Sequence, residues 1–264
     1  MLVNYRSIDD VAARLASDAL TDAEVVVVDN ASDPARVEDL CAAHDAIPVL
    51  LPHNRGFAAG VNAGWSAVKD REPLPLLLLN PDAALERPAL DALLAALPGR
   101  DGVGPVLLEA PGRPQVGSAG GPLSLASVAA YFLFLSAVVP AVRGVFLTRA
   151  QARRGGDVAW LCMASALLAP DALVRFGPLP EDEVVYAEDV AWGTAATANG
   201  ARFSLLGDVE VTHPHGSSGG SAAWSGALER LLRRRLAGPR GWLAVLVVRS
   251  GLLVRSAVRR VRSR

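Results

Sequence analysis

The chain has 264 residues, of which 51% are hydrophobic and 20% charged, and its formal net charge is −1. This much apolar material supports a substantial core, which excludes disorder for most of the chain and fits one large α/β domain with an extension. Its two cysteines, Cys41 and Cys162, lie far apart without CxxC spacing, which argues against a disulfide framework or a structural zinc site.

The first half of the sequence alternates apolar runs with helical stretches. Strands are predicted at Glu24 to Val28, Ile47 to Leu51 and Leu76 to Leu79. Continuous apolar strands separated by helices are typical of a parallel sheet that is buried on both faces. Ligands bind such sheets beyond the carboxyl ends of the strands, where this chain places acids and amides. The intervening helices are predicted at 37–44, 58–69 and 90–97.

The stretch from Pro122 to Thr148 is apolar apart from Arg143 and is long enough to resemble a transmembrane segment. We interpret it instead as one or two helices, broken near Pro140, that pack on the domain or dip into a membrane surface. A membrane span here would place Asp82 and Asp189 on opposite sides of the bilayer.

The second half of the sequence returns to short elements. Strand-like runs occur at 158–168, 184–187, 202–206 and 209–212, and a helix is predicted at 190–199, ended by Gly200. We divide the chain into a domain at 1–225, with halves 1–110 and 111–225, and a helical tail at 226–264.

The charge is distributed unevenly along the chain. Residues 228–264 contain eleven arginines and one acid, whereas the remainder contains 15 basic and 26 acidic residues. Residues 242–262 place leucine and valine among these arginines, which predicts a basic amphipathic helix suited to anionic lipid headgroups rather than to nucleic acid. With no apolar signal run at residues 1–6, we expect a cytoplasmic protein in peripheral contact with the inner face of the membrane through 228–264.

Polar residues after the first two predicted strands are candidates for ligand binding. Asp29 and Asn30 could hydrogen-bond to a base or ribose, although Asp29 or Ser32 could equally cap the next helix. The segment Asn54 to Gly64 places Gly56, Gly60 and Gly64 on one bare helical stripe. Such a stripe allows close approach to a phosphate or, as the alternative, to a neighbouring sheet.

Three further residues suggest metal and acid–base chemistry. Asp82 follows the third strand in Asn80-Pro81-Asp82 and could hold Mg²⁺ or Mn²⁺ beside a diphosphate, or could be an ordinary turn residue. Asp189 could act as a general base or could favour the helix dipole. His213 ends a strand and could supply a nitrogen ligand or be structural.

Taken in order, these segments are similar to the GT-A-fold glycosyltransferases of family 2, particularly the rhamnosyltransferase-like branch. The resemblance covers about residues 2–221. It rests on Val3-Asn4-Tyr5, VVVVDNAS (25–32), NRGFAAGVNAG (54–64), LLLLNPD (76–82), YAED (186–189) and THPHGSS (212–218).

The resemblance implies a Rossmann-like α/β fold, with a mostly parallel central sheet flanked by helices and followed by the basic amphipathic extension. It implies that Asp189 is the catalytic base and that Asp82 and His213 hold the metal. The family pattern departs at Ala191 and Ala195, where acidic and arginine side chains are usual. We assign donor binding to Asn4, Asp29, Asn30, Asn54, Gly56, Asn62 and Asn80.

The implied reaction is an inverting, metal-dependent transfer of a hexose or a rhamnose-like deoxyhexose from a dTDP- or UDP-sugar. The acceptor would be a hydroxyl of a glycan, a lipid-linked glycan or a small molecule. Two other functions remain open at this point. One is a nucleotidyltransferase of similar layout, and the other is a degenerate binding subunit, suggested by Ala191 and Ala195.

Overall fold

The computed structural model describes residues 1–182, 187–214 and 221–262. The strands are β1 (Leu2–Asn4), β2 (Val26–Asp29), β3 (Ile47–Leu50), β4 (Leu76–Leu79), β5 (Gly102–Ala110), β6 (Arg113–Pro114), β7 (Ala119–Gly120), β8 (Gly156–Val158), β9 (Trp160–Leu161), β10 (Ser165–Leu168) and β11 (Phe203–Thr212). The helices are α1 (Ile8–Leu15), α2 (Pro34–Ala43), α3 (Phe57–Val68), α4 (Arg87–Ala96), α5 (Leu125–Phe132), α6 (Leu135–Val138), α7 (Arg149–Arg154), α8 (Ala172–Phe176), α9 (Glu188–Ala198), α10 (Ser221–Arg235) and α11 (Pro239–Arg262).

The first three strands form a parallel sheet in the order β1-β2-β3. Two backbone hydrogen bonds extend it to β4: the Met1 amino group donates to the Leu77 carbonyl, and the Leu79 amide donates to the Met1 carbonyl. This is the pattern of a parallel pair, so β3, β2, β1 and β4 run side by side in one direction. Polar residues after β1, β2 and β4 therefore meet at one edge.

The second sheet has the order β4-β10-β5-β11-β8 and is mixed. Strand β10 runs antiparallel to both β4 and β5, whereas β11 runs parallel to β5. Helices cover both sheets, and the predicted α/β class with a parallel sheet and flanking helices is confirmed. The C-terminal amphipathic helix is also present, as α11.

The glycine stripe of α3 packs against the parallel sheet. A Cβ atom added at Gly60 would lie 2.7 Å from Val3 Cγ1, and one at Gly64 would lie 2.7 Å from Val28 Cγ2. These separations are too short for carbon atoms, so both positions need glycine to let the helix lie close to β1 and β2. Of the two alternatives for the glycine stripe, Gly60 and Gly64 therefore approach the neighbouring sheet rather than a phosphate.

Four predicted elements differ from the structure. The strand-like run predicted at 158–168 contains the end of β8, then β9 and β10 as separate strands. The run predicted at 184–187 lies outside the described residues except for residue 187. Strand β3 is not buried on both faces, because it lies at the sheet edge and Leu50 is exposed. The stretch 122–148 contains the two short helices α5 and α6, but they separate at Leu133 and Phe134 rather than near Pro140. Phe134 takes a left-handed conformation there (φ 65°), which ends α5. Finally, the two strands predicted after residue 201 are the single strand β11, with a register irregularity between Leu206 and Glu210.

The C-terminal helices are packed onto the rest of the fold through an apolar cluster. This cluster contains Leu228 and Leu232 of α10 and Val245 of α11, together with residues of α5, Trp160 and Val190 at the start of α9. The predicted boundary between residues 225 and 226 falls inside α10. The helix that carries Asp189 therefore shares its apolar support with the basic helices.

Candidate active site at the strand ends

Asn4 and Asp29 form a buried hydrogen-bonded pair at the ends of β1 and β2. Asn4 Nδ2 donates to Asp29 Oδ1 at 2.8 Å, and the Ser32 hydroxyl donates to the same oxygen at 2.6 Å. The Ser32 amide donates to Asp29 Oδ2 at 3.0 Å. Neither Asp29 nor Ser32 caps α2, since Asp33 accepts the capping hydrogen bond from Arg36. The Asp29 carboxylate therefore fixes the conformation of the loop after β2 by accepting hydrogen bonds from it.

Backbone strain marks this edge of the fold. Arg6, Ala31 and Ala187 take positive φ angles of 58°, 59° and 71° although none is a glycine. Each follows or precedes a proposed site residue, namely Asn4, Asn30 and Asp189 respectively. Left-handed conformations cost about 1 kcal/mol or more for such residues and persist where the surrounding structure enforces them.

Asn30 ties the loop after β2 to the N-terminus of α3. Its Nδ2 donates to the Gly56 carbonyl at 3.0 Å, and its Oδ1 accepts from the Arg55 amide at 3.0 Å. Asn54 Oδ1 accepts from the Gly56 amide at 2.9 Å, and Gly56 has a φ of 89° that favours glycine. Hydrogen bonds thus join the three predicted donor residues Asn30, Asn54 and Gly56, which belong to two neighbouring loops.

Asn62 links α3 to an acidic loop. Its Nδ2 donates to the Leu179 carbonyl and to Glu181 Oε1, both at 2.9 Å, and its Oδ1 accepts from the Leu179 amide at 2.9 Å. Arg55 forms a 2.6 Å ion pair with Glu181. In this structure Asn62 therefore forms hydrogen bonds with the loop that follows α8. Glu181 and Arg55 were not predicted as site residues.

Asn80, Asp82 and His213 converge at the ends of β4 and β11. His213 Nε2 lies 3.2 Å from Asn80 Nδ2 and 3.4 Å from Asp82 Oδ1. On the other side of the ring, His213 Nδ1 lies 3.0 Å from Gln115 Oε1. The predicted metal residues Asp82 and His213 are neighbours, 131 residues apart in the chain. Of the THPHGSS segment, residues 215–218 lie outside the described residues, as does Tyr186 of YAED.

The donor set at this point fits a divalent cation. The Gln115 oxygen only accepts, so it places the ring proton on Nδ1. The Nε2 lone pair then accepts from Asn80 Nδ2 at 3.2 Å and lies beside Asp82 Oδ1. A lone pair and a carboxylate oxygen that face each other at 3.4 Å favour a cation held by both. No group of three or more His, Cys, Asp or Glu side chains is placed to hold a metal within the described parts of the chain. Two protein ligands suffice for Mg²⁺, which keeps waters and phosphate oxygens in its shell.

Asp189 lies in the first turn of α9, beside the Cys162 thiol. Burial raises the pKa of the Asp189 carboxyl from 3.8 to about 6, against the opposing effect of hydrogen bonds from the Val190 and Asp189 amides and from the Cys162 side chain. The Val190 amide donates to Asp189 Oδ1 at 2.7 Å. Burial, together with the nearby Asp189 carboxylate, also raises the pKa of the Cys162 thiol. A carboxyl with a pKa near 6 is ionised at neutral pH and still basic enough to accept a proton.

One short segment connects the two acids. Cys162 contacts Asp189 through its side chain, and two residues later the Ala164 carbonyl accepts from the Asn80 amide at 2.9 Å. Asn80 contacts His213, which lies next to Asp82. The pair Asp82 and His213 and the base candidate Asp189 are thus anchored at opposite ends of residues 162–164.

The chain departs from the family pattern at Ala191 and Ala195. These two alanines have different surroundings. Ala191 is buried in the apolar cluster shared with α10 and α11, where a charged side chain would be costly. Ala195 is half-buried, and its carbonyl accepts from Asn199 within α9. The alanine at 191 is therefore explained by packing of the C-terminal helices.

A family model described as "Glycosyl transferase family 2" matches residues 5–109. This segment contains β2 to β4 and the polar loops after β2 and β4 described above. The match covers 105 of the 264 residues, so this N-terminal part of the chain is similar to glycosyltransferase family 2. Among curated protein sequences, none matches this chain significantly.

Solved structures of similar fold include a mannosyltransferase, GalNAc-T7 and TarS. A mannosyltransferase from Pyrobaculum calidifontis, in complex with GDP-Man and Mn²⁺, is 19% identical with a TM-score of 0.60, over 97% of this chain and 74% of its own. GalNAc-T7 with UDP, GalNAc and Mn²⁺ is 12% identical with a TM-score of 0.56, over 80% of this chain and 41% of its own. TarS (residues 1–349) from S. aureus is 15% identical with a TM-score of 0.54, over 95% of this chain and 69% of its own. At these identities the likeness establishes the fold, which is GT-A-like.

Proposed function

We propose that this chain is a metal-dependent, inverting glycosyltransferase that uses a nucleotide-sugar donor. The observation that carries the proposal is the contact of residues 162–164 with both parts of the site. Ala164 bonds to Asn80, which adjoins His213 and Asp82, and the Cys162 side chain contacts Asp189. The match to glycosyltransferase family 2 over residues 5–109 supports it. The solved structures named above that hold a nucleotide or nucleotide sugar together with Mn²⁺ support it further.

In the proposed mechanism the loops after β1, β2 and β4 hold the donor. The loop built on Asn4, Asp29 and Asn30 contacts the nucleoside, and the Gly56 N-terminus of α3 lies next to it. Asp82 and His213 would hold Mg²⁺ or Mn²⁺, which when bound stabilises the negative charge of the diphosphate. Gln115 holds the ring through His213 Nδ1, and the cation would replace the contact of Asn80 Nδ2 with His213 Nε2.

Asp189 performs the acid–base step of the proposed reaction. Its carboxylate accepts the proton of the acceptor hydroxyl while the hydroxyl oxygen forms a bond to the anomeric carbon. The bond from that carbon to the diphosphate oxygen breaks at the same time, so the configuration inverts and a nucleoside diphosphate leaves. Burial of Asp189 favours this role, because it makes the carboxylate more basic than an exposed one.

For the donor we propose a dTDP- or UDP-linked sugar, with dTDP-rhamnose as the first to be tested, and for the acceptor a lipid-linked glycan. The donor choice rests on the resemblance of the sequence motifs to the rhamnosyltransferase-like branch. The acceptor choice rests on the eleven arginines of residues 228–264, which favour a location near anionic lipid.

The purified protein should release a nucleoside diphosphate and glycosylate an acceptor only when Mg²⁺ or Mn²⁺ is present. Asp82→Asn should raise the cation concentration needed, whereas Asp91→Asn, an exposed aspartate on α4, should behave like the wild type. Release of pyrophosphate would instead identify a nucleotidyltransferase. Tight donor binding without turnover across a broad acceptor panel would identify a non-catalytic binding subunit.

A further inference from the structure

The outer side of α11 is an exposed apolar surface. Six large apolar side chains on this helix are exposed, among them Trp242 at 61%, Leu246 at 60% and Leu253 at 72%. With about 3.6 residues per turn, these positions fall on one side of the helix, opposite the buried Ala244, Val245 and Val248. The other three exposed residues are Leu243, Val254 and Val258.

A second exposed apolar segment adjoins this helix. Leu133, in the turn that joins α5 to α6, and Val138, at the end of α6, are exposed at 57% and 76%. Arg255 of α11 fixes this turn, because its guanidinium lies 4.7 Å from the centre of the Phe134 ring and donates to the Tyr131 carbonyl at 3.1 Å. Scattered exposed apolar residues are ordinary, but two adjoining exposed segments mark a binding surface. We call the outer side of α11 together with residues 133–139 the apolar face.

Arginines surround the apolar face. Arg233, Arg235 and Arg240 are exposed at the junction of α10 and α11, and Arg260 is exposed further along α11. Arg249 is also exposed, but it forms an ion pair with Glu229. Arg233 stacks over Trp242 at 4.2 Å, which combines a cation and an amphipathic ring as at a membrane interface. A second copy of this chain would bring the same arginines together, so like charges oppose self-association through this face.

The apolar face combines exposed apolar side chains with positive charge, which suits an anionic lipid surface. We propose that the apolar face and its arginines dock on an anionic lipid bilayer, with α11 lying in the plane of the headgroups. The segment Pro239–Val258 is long and apolar enough to cross a membrane. However, its inner side packs on α5 and α10, where a Cβ atom at Gly251 would lie 2.5 Å from the Phe132 carbonyl oxygen. A crossing helix would have to abandon that packing, whereas a helix in the interface keeps it.

The same packing sets the orientation of the site on the bilayer. The apolar cluster that supports α10 and α11 also contains Val190 and Ala191, next to Asp189 on α9. Docking through the apolar face therefore holds Asp189 at a defined distance from the headgroups.

Sedimentation with sucrose-loaded vesicles tests this docking without donor, metal or acceptor, so it is independent of the proposed glycosyl transfer. The wild type should bind vesicles that contain phosphatidylglycerol and should bind pure phosphatidylcholine vesicles much more weakly. Leu246→Ser with Leu253→Ser should weaken binding by more than about tenfold. Leu74→Ser with Val174→Ser, two exposed apolar residues elsewhere, should leave binding unchanged.

A charge pair provides the second arm of the test. Arg235→Gln with Arg240→Gln should weaken binding to anionic vesicles by about 25-fold, because each arginine near such a surface contributes about fivefold. Arg36→Gln with Arg154→Gln, which removes the same charge elsewhere, should have little effect. Each of four results would overturn the proposal: equal binding to neutral vesicles, no effect of the paired variants, retention of the protein in membranes after alkaline carbonate, or loss of a dimer as the only effect of the leucine variants.

Discussion

Replacing Asp189 by asparagine should increase stability while it abolishes activity. Asparagine keeps an oxygen that accepts the 2.7 Å hydrogen bond from the Val190 amide, so the first turn of α9 is preserved. It removes the carboxylate whose burial raises its pKa from 3.8 to about 6. The variant therefore separates the proposed base function from the structural role of this position.

The size and sign of the stability change follow from the pKa. The raised pKa means that the folded state binds this proton more tightly than the unfolded state does. Protonation therefore stabilises the fold fully below about pH 4, and this contribution is lost as the pH rises through 6. The rise corresponds to at most about 3 kcal/mol, and partial exposure of the side chain reduces it, so we expect Asp189→Asn to gain about 1 to 3 kcal/mol at pH 7.5.

Urea unfolding at pH 7.5 and at pH 4 measures this gain directly. The variant should be more stable than the wild type at pH 7.5, and the two curves should converge at pH 4. A transfer assay on the same preparations should show loss of turnover with donor binding retained. Equal stability at pH 7.5 would refute the inference that the carboxylate is held in an unfavourable environment, and normal turnover would refute its role as the base.

Three other predictions concern the pH profile, the imidazole and the glycine stripe. In the wild type, kcat/KM should fall about tenfold between pH 7 and pH 5 as Asp189 protonates, whereas a flat profile would contradict the raised pKa. Gln115→Met, which removes the acceptor at His213 Nδ1, should raise the half-saturating Mn²⁺ concentration about 10- to 100-fold, and Gln115→Glu should restore it. Gly60→Ala should lower the unfolding free energy by about 1 to 3 kcal/mol, whereas Gly226→Ala, with its nearest neighbour at 3.5 Å, should not destabilise.

The parallel part of the fold could be predicted because continuous apolar runs separated by helices are typical of a parallel sheet. Strand β4 was predicted with its observed bounds, and β2 was predicted within two residues at its start and one at its end. The polar residues after these strands were expected at one sheet edge, and Asn4, Asp29 and Asn80 do lie there. Strand β3 was misjudged because a short apolar run looks the same in a central strand and in an edge strand.

The partners of the site residues could not be predicted from local patterns. The glycine stripe was ambiguous, and only coordinates show that Gly60 and Gly64 approach β1 and β2 rather than a ligand. Gln115 is a single amide in a loop, so nothing in the sequence signals that it orients His213 from 98 residues away. Cys162 was noted only as an unpaired cysteine, although its side chain contacts Asp189. Such pairings depend on the tertiary fold, which brings distant segments together.

The proposed function depends most on Asp82 and His213 binding the cation and on Asp189 lying beside the same donor. A crystal structure with Mn²⁺ and a nucleoside diphosphate tests this directly, because the anomalous signal locates the metal. We expect Mn²⁺ to contact Asp82 and His213 together with diphosphate oxygens, with the Asp189 carboxylate on the opposite side of the anomeric carbon, where the acceptor hydroxyl attacks. Manganese bound elsewhere, or an Asp189 carboxylate that faces away from the nucleotide, would contradict the account.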